Sequence, residues 1–341
     1  MIRCVYSLRY DKVNKLEKIG YKFVSKINKN MSLYKYNDKL VAVKSSYNNN
    51  VSFINEIIIT NAMSIGIKHN EETKNKKYKN LKKILYIICC CNCSSIFDYQ
   101  ILDQQYLYND VAKYIDSFIY KNETFLITKY AGIDLWYYVK SKNKLTEPEA
   151  KKIFLKIVDT IIRLHNLGIS HSDLSLENIC IKNDKSGNIK IKLIDFGLSQ
   201  VHHLSPYFSK VRKDDSKIIT NHESNKSIKY LFCSIKHTDT FYGKNNYMSP
   251  ERYNAHFSDT KYCAFKDDIF SLGVMLYILL IGHPPFESAN IEDKFFKSFI
   301  DGSWSRNEII SPLASDLINR IIKHEKKRIV IDDIINHQWC I

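Results

Sequence analysis

The first third of the chain combines predicted strands with one predicted helix. Apolar and aromatic residues flank the turn-forming pair Asn37-Asp38 within residues 33–44 (LYKYNDKLVAVK), which predicts a hairpin. Residues 111–131 predict two more strands around a turn at 121–123. Between these hairpins, residues 51–63 (VSFINEIIITNAM) place apolar side chains on one face at helical spacing, so we expect a helix there.

Beyond the second hairpin the pattern becomes mainly helical. Apolar residues recur at helical spacing after a predicted capping box of Thr146 and Glu149, and Gly168 ends this helix. Two short strands follow at 179–182 and 189–194, then a long polar segment, and helices fill most of the remainder. A strand-rich first third and a helix-rich remainder predict an α+β fold of two lobes with a cleft between them.

The composition is that of a basic globular protein. The 341 residues include 51 Lys+Arg against 36 Asp+Glu, a formal net charge of +15. Such a surplus is typical of proteins that bind acidic partners or substrates, but also of Lys-, Asn- and Ile-rich proteins from AT-rich genomes, an interpretation that we favour. Because no basic run is interleaved with aromatic residues in the manner of a base-stacking groove, we expect no nucleic acid partner.

Membrane insertion and secretion are not expected. The N-terminal segment lacks the apolar core of a signal peptide. The longest apolar helix candidate, residues 269–281, is shorter than the about 20 residues that span a bilayer. Nine cysteines in a large chain without a secretion signal indicate a reducing environment. We therefore expect a soluble, cytoplasmic protein.

Four separated stretches carry charged and polar residues that together suit phosphoryl transfer. Val41-Ala42-Val43-Lys44 ends a predicted strand with a lysine, and Glu56 lies on the next helix. Residues 171–178 (HSDLSLEN) add an aspartate and an asparagine, and Asp195-Phe196-Gly197 follows the later strand pair. Phosphoryl transfer requires a cation on the nucleotide phosphates, oxygen ligands for Mg²⁺ and a carboxylate near the attacking hydroxyl, and this set supplies each of them.

In their order and spacing these stretches resemble the eukaryotic protein kinase family. Other stretches match at the family's positions: 164–169 (LHNLGI), 243–251 (GKNNYMSPE), 268–273 (DIFSLG), 284–286 (PPF), Arg328 and 337–339 (HQW). The resemblance covers about residues 20–341 and implies the two-lobed protein kinase fold. Its lobes would be an N-lobe at 1–131, with an insertion at about 67–108, and a C-lobe at 132–341, with a long activation segment at 195–251.

The resemblance implies roles for the matched residues in binding ATP and Mg²⁺. Lys44, held by Glu56, would bind the α- and β-phosphates, and Asp173 would orient or deprotonate the substrate hydroxyl. Asp195 and Asn178 would bind Mg²⁺. The base and ribose would contact Ile27, Ala42, Thr128 at the gatekeeper position, Lys129, Tyr130 and Ala131 in the hinge, Asp134 and Cys180.

Simpler interpretations compete with some of these roles. Lys44 could be a surface lysine and Glu56 an exposed helix charge, since their 12-residue separation is shorter than the family usually shows. Asp195 and Asp173 could be turn and cap residues, but for them, as for Lys44, the joint pattern outweighs this alternative, whereas for Asp134 it does not clearly do so. Two matched features would be structural: Asp268 would brace the catalytic-loop backbone, and Glu251 would pair with Arg328.

The segment that matches the family's glycine-rich phosphate lid contains no glycine. Residues 27–34 are INKNMSLY, and Asn28 and Asn30 fall where two glycines would lie. Asparagine is among the residues that best tolerate a left-handed backbone, so the turn can form without glycine. Met31 and Lys29 indicate a looser or differently closed lid, and we expect weaker ATP affinity.

Two serines replace basic residues of the family's catalytic loop. Ser172 stands in place of an arginine that usually binds a phosphate on the activation segment, so we expect no activation through that contact. Ser175 stands in place of a lysine that neutralises the transferring phosphoryl group, and Lys244 occupies the position of a threonine in the facing segment. We hypothesise that this pair is exchanged, with Lys244 beside Asp173; the alternative is an unrelated surface lysine.

A basic and cysteine-rich stretch lies in the predicted insertion. Residues 74–93 (KNKKYKNLKKILYIICCCNC) suit palmitoylation of Cys89–Cys93 and peripheral membrane contact. A buried strand in the N-lobe is the alternative that we prefer. The adjacent thiols lack the paired C-x-x-C spacing of a zinc site.

Together these features predict an active, divergent Ser/Thr protein kinase that transfers the γ-phosphoryl group of Mg-ATP to protein substrates, and we expect a monomer. The alternative is a pseudokinase scaffold that binds nucleotide with little or no turnover. The missing lid glycines favour the scaffold, and the presence of Lys44, Asp173, Asn178 and Asp195 together favours the enzyme. A nucleic-acid-binding module would rest on charge alone.

Overall fold

The computed structural model of the protein describes residues 16–47, 50–64, 109–120, 122–184, 186–202, 234–236, 243–258, 260–304 and 310–341. The predicted insertion, the stretch 74–93 with Cys89–Cys93, and most of the predicted activation segment lie outside the described residues. Palmitoylation and membrane contact therefore stay predictions. Within the described part of the chain, no helix is long and apolar enough to cross a membrane.

The described residues form the following elements, numbered in chain order. The strands are β1 (Lys22–Lys26), β2 (Met31–Tyr36), β3 (Lys39–Tyr47), β4 (Tyr114–Tyr120), β5 (Glu123–Lys129), β6 (Ile133–Asp134), β7 (Ile169–Ser170), β8 (Ile179–Asn183), β9 (Ile189–Leu193), β10 (Gln200–Val201), β11 (Ser234–Lys236) and β12 (Lys261–Cys263). The α-helices are α1 (Val51–Ser64), α2 (Leu135–Lys142), α3 (Glu147–Asn166), α4 (Pro250–Phe257), α5 (Ala264–Ile281), α6 (Lys294–Asp301), α7 (Pro312–Ile321) and α8 (Ile331–Ile334).

The chain divides into two compact units. Of the described residues, the first unit contains 16–64, 109–141 and 176–198, and the second contains 142–175 and 199–341. This division differs from the predicted lobes in where it places 132–141 and 176–198. The reason is strand pairing, because β8 pairs with β6 and with β9 in one three-stranded sheet.

The first unit contains a five-stranded antiparallel sheet in the order β1-β2-β3-β5-β4. Both predicted hairpins are present, and Asn37 and Asp38 have φ values of 47° and 58°. This left-handed backbone is what a two-residue hairpin turn requires. The predicted helix is α1, which packs Phe53 and Ile57 against Leu126 of β5. The sheet and α1 therefore share a buried interface.

The second unit is built around α5, which is buried along nearly its whole length. The sequence pattern predicted this helix at 269–281, and it begins earlier, at Ala264. It packs on α7 so closely that a Cβ atom at Gly273 would lie 2.6 Å from Cγ2 of Ile321. A glycine is therefore required at this contact.

The capping box predicted at the start of α3 is wrong. Thr146 is the N-cap residue, but its side chain accepts no hydrogen bond from the helix. The Glu149 carboxylate lies 2.7 Å from Nζ of Lys142 and forms an ion pair with it. At the other end the prediction holds, since Gly168 follows α3 with a φ of 74°.

Candidate active site

Lys44 on β3 is hydrogen-bonded to two carboxylates. Its Nζ atom donates to Oε2 of Glu56 at 2.7 Å and to Oδ2 of Asp195 at 2.8 Å. The side chains of Lys44 and Glu56 are only 19% and 6% exposed. The alternative in which these two residues are surface charges is therefore wrong, despite their short sequence separation.

The three charges are strongly coupled. Burial raises the pKa of Glu56 to about 7; Lys44 acts to lower it and Asp195 to raise it. Burial acts to lower the pKa of Lys44, but the two carboxylates outweigh it and the pKa is raised. Lys44 is thus a permanent cation held beside Asp195.

Helix α1 also fixes the segment Asp195-Phe196-Gly197. The side-chain amide of Asn55 donates to the carbonyl oxygens of Phe196 and Gly197 at 3.2 and 3.3 Å. A Cβ atom at Gly197 would lie 2.6 Å from Oγ of Ser52, so only glycine fits there without displacement. Sequence reasoning missed Asn55, because one amide on a helix gives no motif.

Asn178 and Asp195 suit a magnesium ion. Asn178 ends a short 3₁₀ helix. Its main-chain carbonyl oxygen accepts the N–H of Ile194 at 3.0 Å, which links Asn178 to the residue before Asp195. Among the described residues, no group of three or more His, Cys, Asp or Glu could hold a metal. One carboxylate and one carboxamide fit Mg²⁺, because this ion keeps waters and substrate phosphates as further ligands.

The residues predicted to contact the base lie on β3, β5 and β8. Ala42 pairs with Thr128 across the sheet. Cys180 packs with Ala131 and Ala112 in a small buried cluster. Burial raises the pKa of the Cys180 thiol to about 12, so this side chain is a neutral apolar surface.

The remaining predicted contacts have structural partners of their own. The N–H of Tyr130 donates to the carbonyl oxygen of Leu40 at 3.1 Å, and Lys129 pairs with Val41. Oδ1 of Asp134 accepts the N–H of Tyr137 at 2.7 Å. Asp134 thus has a structural partner in the first turn of α2, and its contact with ribose stays a prediction.

The lid turn after Ile27 does not use the left-handed backbone that asparagine tolerates, since neither Asn28 nor Asn30 has a positive φ. Oδ1 of Asn28 instead accepts the N–H groups of Asn30 and Met31 at 3.0 and 2.9 Å. This side-chain-to-backbone turn is a common use of asparagine. The carboxamide of Asn28 thus binds two main-chain donors of the lid.

The catalytic loop is held by Asp268 of α5, as the resemblance implies. Oδ2 of Asp268 accepts the N–H of His171 and Oδ1 accepts the N–H of Ser172, both at 2.8 Å. His165 lies 2.9 Å from Oδ2. Burial acts to raise the pKa of Asp268, but the hydrogen bond and charge of His165 outweigh it, and the pKa is lowered. The carboxylate is therefore a stable acceptor for the loop.

Lys244 contacts the serine with which it was predicted to be exchanged. Its Nζ atom lies 2.6 Å from Oγ of Ser175, and the contact is partly buried. The alternative of an unrelated surface lysine is therefore wrong. A small pocket beside this contact is lined by Ser172, Asp173, Leu174, Gly243, Lys244, Tyr247, Met248, Arg252 and Ser271.

Arg252 of α4 is the main residue that sequence reasoning missed in this region. Nη1 of Arg252 donates to the carbonyl oxygen of Ser172 at 2.7 Å and to Oδ2 of Asp267 at 2.8 Å. Its neighbour Glu251 pairs instead with Arg328, at 2.5 Å. The latter pair was predicted from the resemblance. Arg252 follows the matched segment directly but belongs to no motif.

Comparison with known proteins agrees with this geometry. Residues 94–340 match the family profile described as "Protein kinase domain". The chain belongs to the protein kinase family. It is 30% identical over 221 residues to "CBL-interacting protein kinase 1" of Oryza sativa subsp. japonica, covering 64% of this chain and 40% of the relative.

Other relatives are kinases of similar sequence identity. "Carbon catabolite-derepressing protein kinase" of Candida glabrata is 29% identical over 230 residues, covering 67% of this kinase and 31% of the relative. "Serine/threonine protein kinase OSK3" of Oryza sativa subsp. indica is 32% identical over 207 residues, covering 60% and 33%. This kinase thus spans less than half the length of these curated relatives. The family match begins after Lys44 and Glu56, so the contacts of Lys44 with Glu56 and with Asp195 extend the likeness toward the N-terminus.

Proposed function

We propose that this kinase transfers the γ-phosphoryl group of ATP to serine or threonine hydroxyls of protein substrates. The observation that carries the proposal is the pair of hydrogen bonds that Lys44 Nζ donates, one to Glu56 and one to Asp195. It supplies a fixed cation next to the carboxylate of Asp195, which suits nucleotide phosphates and their metal. The serine/threonine preference is supported by the likeness to "Serine/threonine protein kinase OSK3".

In this proposal Lys44 binds the α- and β-phosphates, and Asp195 and Asn178 provide oxygen ligands for Mg²⁺. The metal, when bound, neutralises charge that develops on the phosphoryl oxygens. Ala42 and Cys180 present apolar surfaces to the adenine ring, with Thr128 and the segment 129–131 at its edge. The Asn28 turn leaves the lid with fewer main-chain donors for phosphate. Lys44, held by Glu56 and Asp195, is therefore the main residue that binds the nucleotide phosphates.

Asp173 orients the substrate hydroxyl and accepts its proton. The hydroxyl oxygen then forms a bond to the γ-phosphorus, and the bond from that phosphorus to the β–γ bridging oxygen breaks, leaving ADP. Lys244, held by Ser175, supplies the positive charge that the loop itself lacks. The protein's net charge of +15 supports acidic protein substrates.

The test is transfer of labelled phosphate from Mg-ATP to a broad array of Ser-, Thr- and Tyr-containing peptides. Wild type is compared with Asp173→Ala prepared in the same way, and nucleotide binding is measured on both by calorimetry. We expect the variant to bind ATP like wild type and to lose about 10²- to 10⁴-fold in transfer rate. ATP binding by wild type with transfer no faster than that of Asp173→Ala would instead support the scaffold function.

A further inference from the structure

We infer that Arg252 is a positioning residue for Asp173, a role that rests on the proposed function. Its guanidinium fixes the peptide group that joins Ser172 to Asp173. The catalytic loop has no basic residue at position 172 to make such contacts itself. The cation comes instead from α4, about 80 residues further along the chain.

The first observation is the conformation of Ser172. Its φ of 61° lies in the left-handed region, which is unfavourable for a residue other than glycine. Such a conformation persists only where the surroundings hold it from several sides. Asp268 accepts the N–H of Ser172 and Arg252 donates to its carbonyl oxygen. This carbonyl belongs to the same planar peptide group as the N–H of Asp173. Its orientation therefore affects the direction in which the Asp173 side chain extends from the loop.

The second observation is that Arg252 is itself held rigidly. It is buried, and its Nη1 atom contacts Oδ2 of Asp267 at 2.8 Å. The guanidinium carbon lies 5.8 Å from the ring centre of Tyr262, a distance at which a cation is attracted to the ring. Oδ1 of Asp267 accepts the N–H of Ser249 at the start of α4. The donor that reaches Ser172 is therefore part of a buried network and not a mobile surface side chain.

The third observation places Arg252 near the side chain of Asp173 as well. A Cβ atom at Gly243 would lie 3.4 Å from Nη2 of Arg252 and 3.7 Å from Oδ1 of Asp173. Both atoms thus border the same small space, which glycine leaves open. Arg252 therefore contacts the loop at the main chain of Ser172 and borders the carboxylate that the loop presents.

The test uses two matched double variants. Arg252→Met with Asp267→Asn removes the charge pair while keeping bulk and the oxygen that accepts from Ser249. Glu251→Gln with Arg328→Met removes a neighbouring buried pair whose arginine contacts Lys266 and Lys323 but not the loop. Each protein is assayed for kcat and for KM of ATP, and its amide hydrogen exchange is followed in a peptide covering residues 171–174.

We expect only the Arg252 pair of changes to lower kcat, on the order of 10²-fold, because a misplacement of about 1 Å at a reacting group has this effect. KM for ATP should stay unchanged, since neither variant changes Lys44, Glu56 or Asp195. Exchange at 171–174 should accelerate in this variant alone. Equal effects of the two double variants on kcat and exchange would overturn the inference.

A single variant covers the case in which the first double variant does not fold. Arg252→Lys keeps the charge beside Asp267 but loses the planar guanidinium whose Nη1 atom donates to both Ser172 and Asp267, so we expect a smaller loss of kcat and faster exchange at 171–174. Wild-type values for both would overturn the inference. The exchange measurement also separates the two proposals: absent transfer by wild type contradicts the proposed function, while exchange still decides the role of Arg252.

Discussion

The Nζ atom of Lys244 lies 2.6 Å from the Oγ atom of Ser175, although the two residues are 69 positions apart. The family's catalytic loop usually carries its cation at the position of Ser175. In this kinase the loop keeps a hydroxyl group there, and the cation arrives from the segment that ends at α4. Exchanging the two residue types therefore preserves one cation and one hydroxyl in the same contact.

This contact predicts that Lys244 can be replaced only together with Ser175. Lys244→Thr should lower kcat by about 10²-fold, because a charge at the developing phosphoryl group is lost. Adding Ser175→Lys should restore most of the activity. Steady-state phosphate transfer measures both effects. A kcat that is insensitive to Lys244→Thr, or that stays low in the double variant, would contradict the proposed exchange of residue types between positions 175 and 244.

Glu56 predicts a pH dependence of stability in the nucleotide-free protein. The folded protein holds the proton of Glu56 up to a pKa of about 7, whereas the unfolded chain releases it near 4.5. Between these values the folded state binds more protons, so the free energy of unfolding falls as pH rises, by up to about 3 kcal/mol. Denaturant unfolding at pH 5 and pH 8 measures the change.

Glu56→Gln is the matched variant, since its amide cannot ionise. We expect the stability of the variant, relative to wild type, to increase from pH 5 to pH 8. A constant difference between the two proteins over this range would show that Glu56 does not titrate there.

The lid turn predicts an unusual response to truncation of Asn28. Asn28→Ala removes the acceptor that binds the N–H groups of Asn30 and Met31. The released donors can turn to the phosphates, so KM for ATP should fall about 5-fold, equivalent to about 1 kcal/mol of hydrogen bonding. Asn30→Ala is the control, because Asn30 enters this turn through its main chain. A rise in KM for Asn28→Ala would mean that the turn itself holds the nucleotide.

The Glu251–Arg328 pair predicts a large effect on stability with little effect on chemistry. The Arg328 side chain is 0% exposed, so Arg328→Ala leaves Glu251 as an uncompensated buried charge and should cost about 3–5 kcal/mol. Arg320→Ala breaks a pair whose side chains are 59% and 47% exposed and should cost less than about 1 kcal/mol. Thermal unfolding compares them, and equal losses would contradict a structural role for Arg328.

Much of the fold followed from local patterns. The hairpin turn at Asn37-Asp38 was predicted because two-residue turns demand particular residue types, and the helix at 51–64 because its apolar face repeats every turn. The capping box was wrong because the Thr146 side chain makes no cap hydrogen bond, and a four-residue pattern does not reveal partners outside it such as Lys142, which pairs with Glu149. Helix α5 began early because a buried helix is apolar all round and gives no clear boundary.

The candidate site was predictable where chemistry fixes the residue type. Lys44, Glu56 and Asp195 meet as the resemblance implied, since phosphate and metal binding tolerate few alternatives. Asn28 was singled out for its tolerance of a left-handed backbone, but its side chain makes the turn, and sequence shows the residue type without showing which of the two is used. Arg252 was missed because its partners, Ser172 and Asp267, lie far from it or carry no motif with it.

The connection between β3 and α1 has a consequence for ligand design. Residues 48–50 alone separate Tyr47 from Val51, and the side chain of Asn50 caps the helix by accepting the N–H of Ser52 at 3.0 Å. So short a tether reaches at most about 14 Å when fully extended. The short connection limits how far the start of the helix can move from β3, and an outward movement would break the Lys44–Glu56 contact. Inhibitors that fit the closed arrangement are the better starting point for this chain than those that need a displaced helix.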